Sequence, residues 1–159
     1  MQFLVFSDSH GSTAEMSEAI RRNPTVKTVL FLGDGLSDIK TLAKAHPDVT
    51  FRAVRGNCDP LTADHPTEDF FSLYGVGVFL AHGHTLGVKT VLGPAISRAR
   101  EAGASVLLFG HTHLPFSQYL SEYGIYVFNP GSIGKGLHPT YGVIRVENGR
   151  IDSRILPLE

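Results

Sequence analysis

Residues 3–10 have the sequence Phe3-Leu4-Val5-Phe6-Ser7-Asp8-Ser9-His10. Four consecutive apolar residues predict a short buried strand, and two residue types that bind metals, Asp and His, follow directly at its end. Further apolar runs that lead into polar loops lie at 28–32, 49–54, 76–81 and 104–109. This order is typical of α/β folds, in which loops at the carboxyl ends of the strands bind ligands.

Helical patterns separate the first three apolar runs. Ser12 and Glu15 have the spacing of a capping box, and a helix is predicted over residues 14–22. Residues 36–45 carry an apolar stripe of helical period and predict a second helix. Strands that alternate with helices in this way favour parallel pairing through crossover connections.

The second half of the chain has a different pattern. Two runs at 70–73 and 76–81 flank Tyr74-Gly75 and predict a hairpin or tight turn. Residues 88–102 are predicted to be helical, with Pro94 either bending the helix or starting its better half. The continuous apolar run at 104–109 predicts a central strand. Strands are then predicted at 116–120, 125–128, 141–146 and 151–156, with Asn148-Gly149 as a two-residue turn. We therefore predict an α/β fold, a two-sheet β-sandwich flanked by helices, in a single domain over residues 1–159.

The composition limits the classes of function. The 159 residues include 14 basic and 15 acidic side chains, so the net charge of −1 disfavours stable binding to nucleic acid. The single cysteine, Cys58, permits no intrachain disulfide, and no apolar run approaches the roughly 20 residues of a membrane span. The N-terminal residues also lack a signal-peptide pattern. We expect a cytoplasmic protein with no membrane contact, and the sequence leaves a homo-oligomer open.

The residues that follow the strands share one chemistry, because all offer oxygen or imidazole nitrogen to a cation. They are Asp8, His10, Asp34, Asn57, His82, His111 and His113. Residues i and i+2 of an extended chain project to the same side, so each Asp-x-His or His-x-His pair is expected to point into one site. One such pair alone would be typical of an ordinary turn. Seven ligands are too many for one tetrahedral ion and suit two ions that share a carboxylate. Mn²⁺, Fe, Ni²⁺, Co²⁺ and Zn²⁺ fit this set.

The order of these motifs resembles the calcineurin-like metallophosphoesterase superfamily. The motifs are Asp8-x-His10, Gly33-Asp34, Gly56-Asn57-x-Asp59, His82-Gly83 and Gly110-His111-x-His113. The short chain and the segments 56–59 and 129–132 look like the compact YfcE-like phosphodiesterase branch, which is similar in fold to a vacuolar sorting scaffold subunit of eukaryotes. The resemblance implies that Asp8, His10 and His113 bind a first metal. It implies that Asn57, His82 and His111 bind a second, and that Asp34 bridges the two, with manganese as the expected ion.

The resemblance also implies a function. A hydroxide that bridges the two metal ions would attack the phosphorus of a small phosphodiester substrate, with Asn57, His82 and Asp34 as catalytic residues. His84 and Cys58 would contact the substrate. The alternatives are a scaffold or binding protein with weak or no activity, and a phosphomonoesterase.

Cys58 departs from the superfamily pattern, which commonly has histidine at this position. Because a thiol cannot replace a cationic imidazole, we expect diesters to be preferred over monoesters. Asp59 is expected to stabilise its turn, and Asp38 to lie on the helix surface or to support the first helical turn.

Overall fold

A computed structural model describes residues 1–159 and contains ten strands and three helices. The strands are β1 (Gln2–Phe6), β2 (Thr28–Phe31), β3 (Thr50–Ala53), β4 (Glu68–Leu73), β5 (Val76–Ala81), β6 (Val106–Phe109), β7 (Phe116–Leu120), β8 (Ile125–Asn129), β9 (Thr140–Glu147) and β10 (Arg150–Pro157). The helices are α1 (Thr13–Arg22), α2 (Leu36–Ala45) and α3 (Gly93–Glu101). The strands form two five-stranded sheets, in the orders β10-β9-β1-β2-β3 and β4-β5-β6-β8-β7.

Side chains that alternate along the strands build three apolar layers. In β1, Leu4 and Phe6 pack in a cluster of 16 buried residues with α1 and α2. Phe3 and Val5 point the other way, into a cluster of 13 that lies between the two sheets. A third cluster of 10 joins the outer face of the second sheet to α3. The predicted sandwich with helices outside is therefore confirmed, since strands that bury both faces need a cover on each.

Most predicted elements are present with small shifts at their ends. Strand β6 is the middle strand of its sheet, as its continuous apolar run predicted. Asn148 and Gly149 have φ values of 52° and 71°, as expected for a two-residue turn of the mirror-image type. None of the three helices is long and apolar enough to cross a membrane.

Two local predictions are wrong. The helix expected over 88–102 forms only from Gly93, because Pro94 suits a first helical turn rather than a helix interior. The capping box is also absent. Ser12 occupies the N-cap position of α1 with ψ near 60°, and its side chain makes no capping hydrogen bond.

Parallel pairing sets the position of the candidate site. Strands β1, β2 and β3 pair in parallel in the first sheet, and β5 and β6 do so in the second. Their carboxyl ends meet at one edge of the sandwich, where the backbone N–H of Asp8 donates to the Gly33 carbonyl oxygen at 2.9 Å. Gly110 N–H likewise donates to the carbonyl oxygen of His82 at 3.1 Å. The loops that carry the predicted ligands therefore lie side by side.

Candidate metal centre

The structure brings the predicted ligands together in two neighbouring groups. Asp8, His10 and His113, here called the first ligand group, offer donor atoms that lie within 4.8 Å of one another. Donor atoms of Asp34, His82 and His111 meet the same limit, and Asn57 reaches His82. We call Asn57, His82 and His111 the second ligand group and Asp34 the shared residue. Each group combines side chains from both sheets, so the site forms only where the two sheets pack against each other.

One oxygen of the Asp8 carboxylate is anchored and the other is free. Oδ2 accepts hydrogen bonds from the Ser7 hydroxyl and from the His111 backbone N–H. Oδ1 is buried and has no hydrogen-bond partner, and it lies 3.2 Å from Nε2 of His113. Since a buried carboxylate oxygen without a partner is costly, this geometry favours a cation at Oδ1.

The shared residue Asp34 is arranged in the same way. Its Oδ1 accepts the Cys58 backbone N–H at 2.8 Å. Its Oδ2 lies 3.3 Å from Nε2 of His82 and 3.8 Å from Nε2 of His10. Burial opposes ionisation, but the hydrogen bonds from His82 and Cys58 outweigh it and lower the pKa of this carboxyl. Asp34 therefore presents an ionised oxygen to residues of both ligand groups.

His82 is fixed by its second ring nitrogen. Nδ1 donates to the Leu32 carbonyl oxygen at 2.7 Å, which directs Nε2 toward the cluster. There Nε2 lies 3.0 Å from Oδ1 of Asn57 and 3.1 Å from Nδ1 of His111. Burial disfavours a charged ring, but the Asp34 and Asp8 carboxylates outweigh it and raise the pKa of His82. The surroundings thus favour positive charge at this point.

His111 has the opposite tendency. Burial, the neighbouring His82 and the charge of Lys89 lower the pKa of His111 to about 4. A neutral imidazole has a lone pair to give, which is the form that a metal ion requires. The ring is therefore ready to act as a ligand at neutral pH.

The backbone at the ligands differs from the expected extended chain. Asp8, His10, Asp34, His111 and His113 have φ values between 43° and 68°. Only seven non-glycine residues of the chain have positive φ, and five of them are these candidate ligands. Such left-handed residues cluster at functional sites, where the surrounding structure holds them in place. The Asp-x-His and His-x-His pairs converge through turns, so the extended geometry predicted for them is wrong.

Two glycines provide the close approach that the ligand loops need. A Cβ atom at Gly56 would overlap Oδ1 of Asp34, and one at Gly110 would overlap the hydroxyl of Ser7. Gly56 therefore leaves room for the Asp34 carboxylate itself, and Gly110 leaves room for the hydroxyl that binds the Asp8 carboxylate.

The residues fit a pair of divalent cations. His10 Nε2, like Asp8 Oδ1, is buried without a hydrogen-bond partner. Two such orphaned acceptors beside an ionised Asp34 form a site that positive charge would complete. The donor set of carboxylate, amide oxygen and imidazole suits transition metals such as Mn²⁺.

Residues 1–149 match the family model of the calcineurin-like phosphoesterase superfamily domain. The chain belongs to this superfamily. It is 35% identical over 135 residues to the probable metallophosphoesterase YsnB of Bacillus subtilis, which covers 84% of this chain and 75% of that relative. It is 38% identical over 105 residues to phosphodiesterase YfcE of Escherichia coli, which covers 58% of this chain and 50% of YfcE. The match thus spans only half the length of YfcE.

A solved structure shows the same fold. The crystal structure of a predicted phosphoesterase from Streptococcus pneumoniae superposes with a TM-score of 0.82 at 25% identity, covering 99% of this chain and 89% of that one. The predicted family and the likeness to YfcE are confirmed.

Both predicted substrate contacts of this metallophosphoesterase border the ligand groups. Cys58 is exposed, and its Sγ lies within 4.8 Å of donor atoms of His10 and Asp34. Partial desolvation and the Asp34 carboxylate raise the pKa of the Cys58 thiol, which is therefore neutral at neutral pH. The His84 ring lies 5.4 Å from the His82 ring, and its Nδ1 is buried without a partner. Burial and the neighbouring His82 lower the pKa of His84.

Two further carboxylates hold the ligand loops. Asp59 accepts hydrogen bonds from the backbone N–H groups of Asp34, Gly35, Leu36 and Gly56 at 2.8–3.0 Å, so it stabilises the turn as predicted. Asp38 is buried, so its predicted place on the helix surface is wrong. Its Oδ2 accepts from the Ser9 hydroxyl at 2.7 Å and from the Gly11 N–H at 2.8 Å. No local pattern marks this role, because Ser9 lies 29 residues away in the chain.

Proposed function

We propose that this metallophosphoesterase hydrolyses small phosphodiesters at a centre of two divalent cations, with manganese as the expected metal. Asp8, His10 and His113 would hold one ion, Asn57, His82 and His111 the other, and Asp34 both. The observation that carries this proposal is the position of Asp34 Oδ2, which lies within 4 Å of imidazole nitrogens from both groups.

Each ligand has a part that its surroundings support. The bound ions would supply Lewis acidity toward the phosphoryl oxygens and would lower the pKa of water to near neutrality. Asp34 would fix the spacing of the two halves of the centre, and His82 would keep its direction through Leu32. The Asn57 side chain is exposed at the mouth, where its amide N–H can donate to a phosphoryl oxygen. His84 can offer its free ring nitrogen to the same group.

Cys58 supports diesters over monoesters as substrates. A neutral thiol brings no positive charge to the phosphate and is a weak hydrogen-bond donor. A monoester dianion needs more positive charge than a diester monoanion, and an alkoxide or phenolate that leaves easily needs no proton. The site therefore suits diesters with good leaving groups.

The completeness of the ligand set supports catalysis over a scaffold role. A scaffold needs the fold and its surfaces but not seven converging donors, and the donor atoms of the seven predicted ligands lie close together in this chain. A scaffold function and a phosphomonoesterase function are the other outcomes of the test below.

The test is an activity screen after the protein is loaded with Mn²⁺. Bis(p-nitrophenyl) phosphate, p-nitrophenyl phosphate and cyclic nucleotides are compared at equal concentration in wild type, in Asp34→Asn and in the surface control Asp152→Asn. We expect hydrolysis of the diester to exceed that of the monoester, and to be lost in Asp34→Asn alone. No turnover of any ester with two ions bound would favour the scaffold, and faster monoester hydrolysis would favour a phosphomonoesterase.

A further inference from the structure

An apolar pocket opens beside the loop that carries His111 and His113. Its volume is about 490 Å³, and the side chains that line it include Lys89, Phe109, Thr112, Leu114 and Phe116. Thr112 stands between the two histidines in the chain, so one wall of the pocket is the ligand loop itself. Small-molecule sites have volumes of about 300–1,000 Å³ and largely apolar walls with a few polar groups.

The apolar wall includes two aromatic rings. The centroids of Phe109 and Phe116 lie 6.4 Å apart with the planes tilted by 56°. Phe109 is buried, whereas 69% of Leu114 is exposed at the pocket's edge. Tilted aromatic side chains favour a further ring in an edge-to-face or offset arrangement.

The polar groups of the pocket suit an ester of phosphate. Thr112 Oγ1 accepts hydrogen bonds from the Leu114 N–H at 3.2 Å and from the Asn129 amide at 3.0 Å. Because the oxygen already accepts two hydrogen bonds, its own O–H remains free to donate to an ester oxygen. Lys89 is exposed and lines the same pocket. Its positive charge complements the negative charge of a phosphodiester.

From this geometry we infer that the pocket binds an aromatic ester group of the substrate while the phosphate lies at the metal centre. The inference rests on the proposed function, since it names the class of phosphodiester that the same site takes. An aromatic ring would displace water from the walls formed by Phe109, Phe116 and Leu114, and the ester oxygen would reach Thr112. A diester with only small alkyl groups would leave these walls in contact with water.

Binding of three diesters that differ in their ester groups tests the inference. The dissociation constants of diphenyl, dibutyl and dimethyl phosphate are measured by calorimetry on the metal-loaded protein, in wild type, Leu114→Ser and Leu137→Ser. Leu137 is the matched control, because it is a leucine that is 88% exposed and does not line the pocket. We expect diphenyl phosphate to bind wild type about 10-fold more tightly than dimethyl phosphate, and Leu114→Ser to reduce that ratio about 3-fold. Leu137→Ser should leave it unchanged.

The outcomes separate this inference from the proposed reaction. Equal binding of diphenyl and dimethyl phosphate, or no binding of either, would overturn the pocket assignment. Dibutyl phosphate binding as tightly as diphenyl phosphate would overturn the aromatic preference. A ratio that is sensitive to Leu114, in a protein that hydrolyses no diester, would support the pocket and overturn the proposed reaction. Amide shifts on addition of diphenyl phosphate to the Zn²⁺-loaded protein should be largest at Thr112 and Leu114.

Discussion

His82, in the second ligand group, is fully buried and donates from Nδ1 to the Leu32 carbonyl oxygen, whereas His113, in the first group, leaves 38% of its side chain exposed. In the first group, Nε2 of His10 has no hydrogen-bond partner, whereas Nε2 of His82 lies close to Asn57 and His111. In the second group, His82 is therefore oriented by protein contacts alone. In the first group, the His10 and His113 rings are more exposed, and no hydrogen bond to a protein atom orients the Nε2 atom of His10.

This difference implies an order in which the two groups bind metal. A preorganised site loses less conformational entropy when it binds, so the second group should take up metal at lower concentration than the first. Asp34 couples the two groups because its Oδ2 lies within 4 Å of a ring nitrogen from each. The following predictions test how far the two groups differ.

The largest effect is expected for Asp34→Asn. Loss of the charge that both groups share should lower kcat/KM for a diester by about 10³-fold, since each metal supplies several kcal/mol to phosphoryl transfer. Metal content by mass spectrometry should fall at both positions, with the circular dichroism spectrum unchanged. His65→Ala should keep full activity, and an Asp34→Asn variant with two tightly bound ions would contradict the shared role.

Asp59→Asn is expected to weaken the second group and the shared residue by about 10–100-fold in metal affinity. Both carboxylate oxygens of Asp59 accept two backbone N–H groups each, so an amide NH₂ at either position would face two donors. Asp38→Asn is the matched comparison, because Asp38 uses only Oδ2. An asparagine there can present its one oxygen, so we expect a change of less than about 3-fold. Equal effects of the two substitutions would reject this difference.

His82→Ala and His113→Ala should separate the two groups by stability. Removal of His82 leaves the buried Leu32 carbonyl without its partner and should lower the free energy of unfolding of the metal-free protein by about 1–3 kcal/mol. His113→Ala should leave that free energy within about 0.5 kcal/mol of wild type, because its side chain is partly exposed. Urea unfolding in the presence of a chelator measures both. A larger loss for His113→Ala would reverse the comparison.

The smallest effect is expected for Cys58→His, at an exposed position next to His10 and Asp34. The imidazole should raise monoester hydrolysis relative to diester hydrolysis by about 10-fold. This is less than full general acid catalysis provides, because the residues around position 58 are not arranged to orient an imidazole ring. The measurement is kcat/KM for p-nitrophenyl phosphate and bis(p-nitrophenyl) phosphate in both proteins. If the ratio of the two kcat/KM values is unchanged while metals are still bound, residue 58 does not control the preference for diesters, and His84 becomes the next candidate.

The sequence determined the order of the elements and the positions of the candidate ligands, for local reasons. A buried strand such as β1 needs an apolar run, and the Asp and His residues that follow such runs are not needed to fill an apolar core. Asp8, His10 and their counterparts could therefore be found one strand end at a time. The fold class followed from the alternation of such strands with helices. The helix start near Pro94 could not be placed in this way, since Gly87 and Gly93 fit both a loop and a helix end.

Only the tertiary structure decided how the ligands are presented. The free oxygen of Asp8 is selected by the His111 N–H, 103 residues away, and Ser132 holds the Asp8 carbonyl across 124 residues. Asp38 acts on Ser9 across 29 residues, and the Leu32 carbonyl acts on His82 across 50. The left-handed backbone of five ligands is also a product of these contacts, because an isolated chain would not favour it. The geometry of the candidate ligands depends on the contact between the two sheets, and no segment of the sequence contains that information by itself.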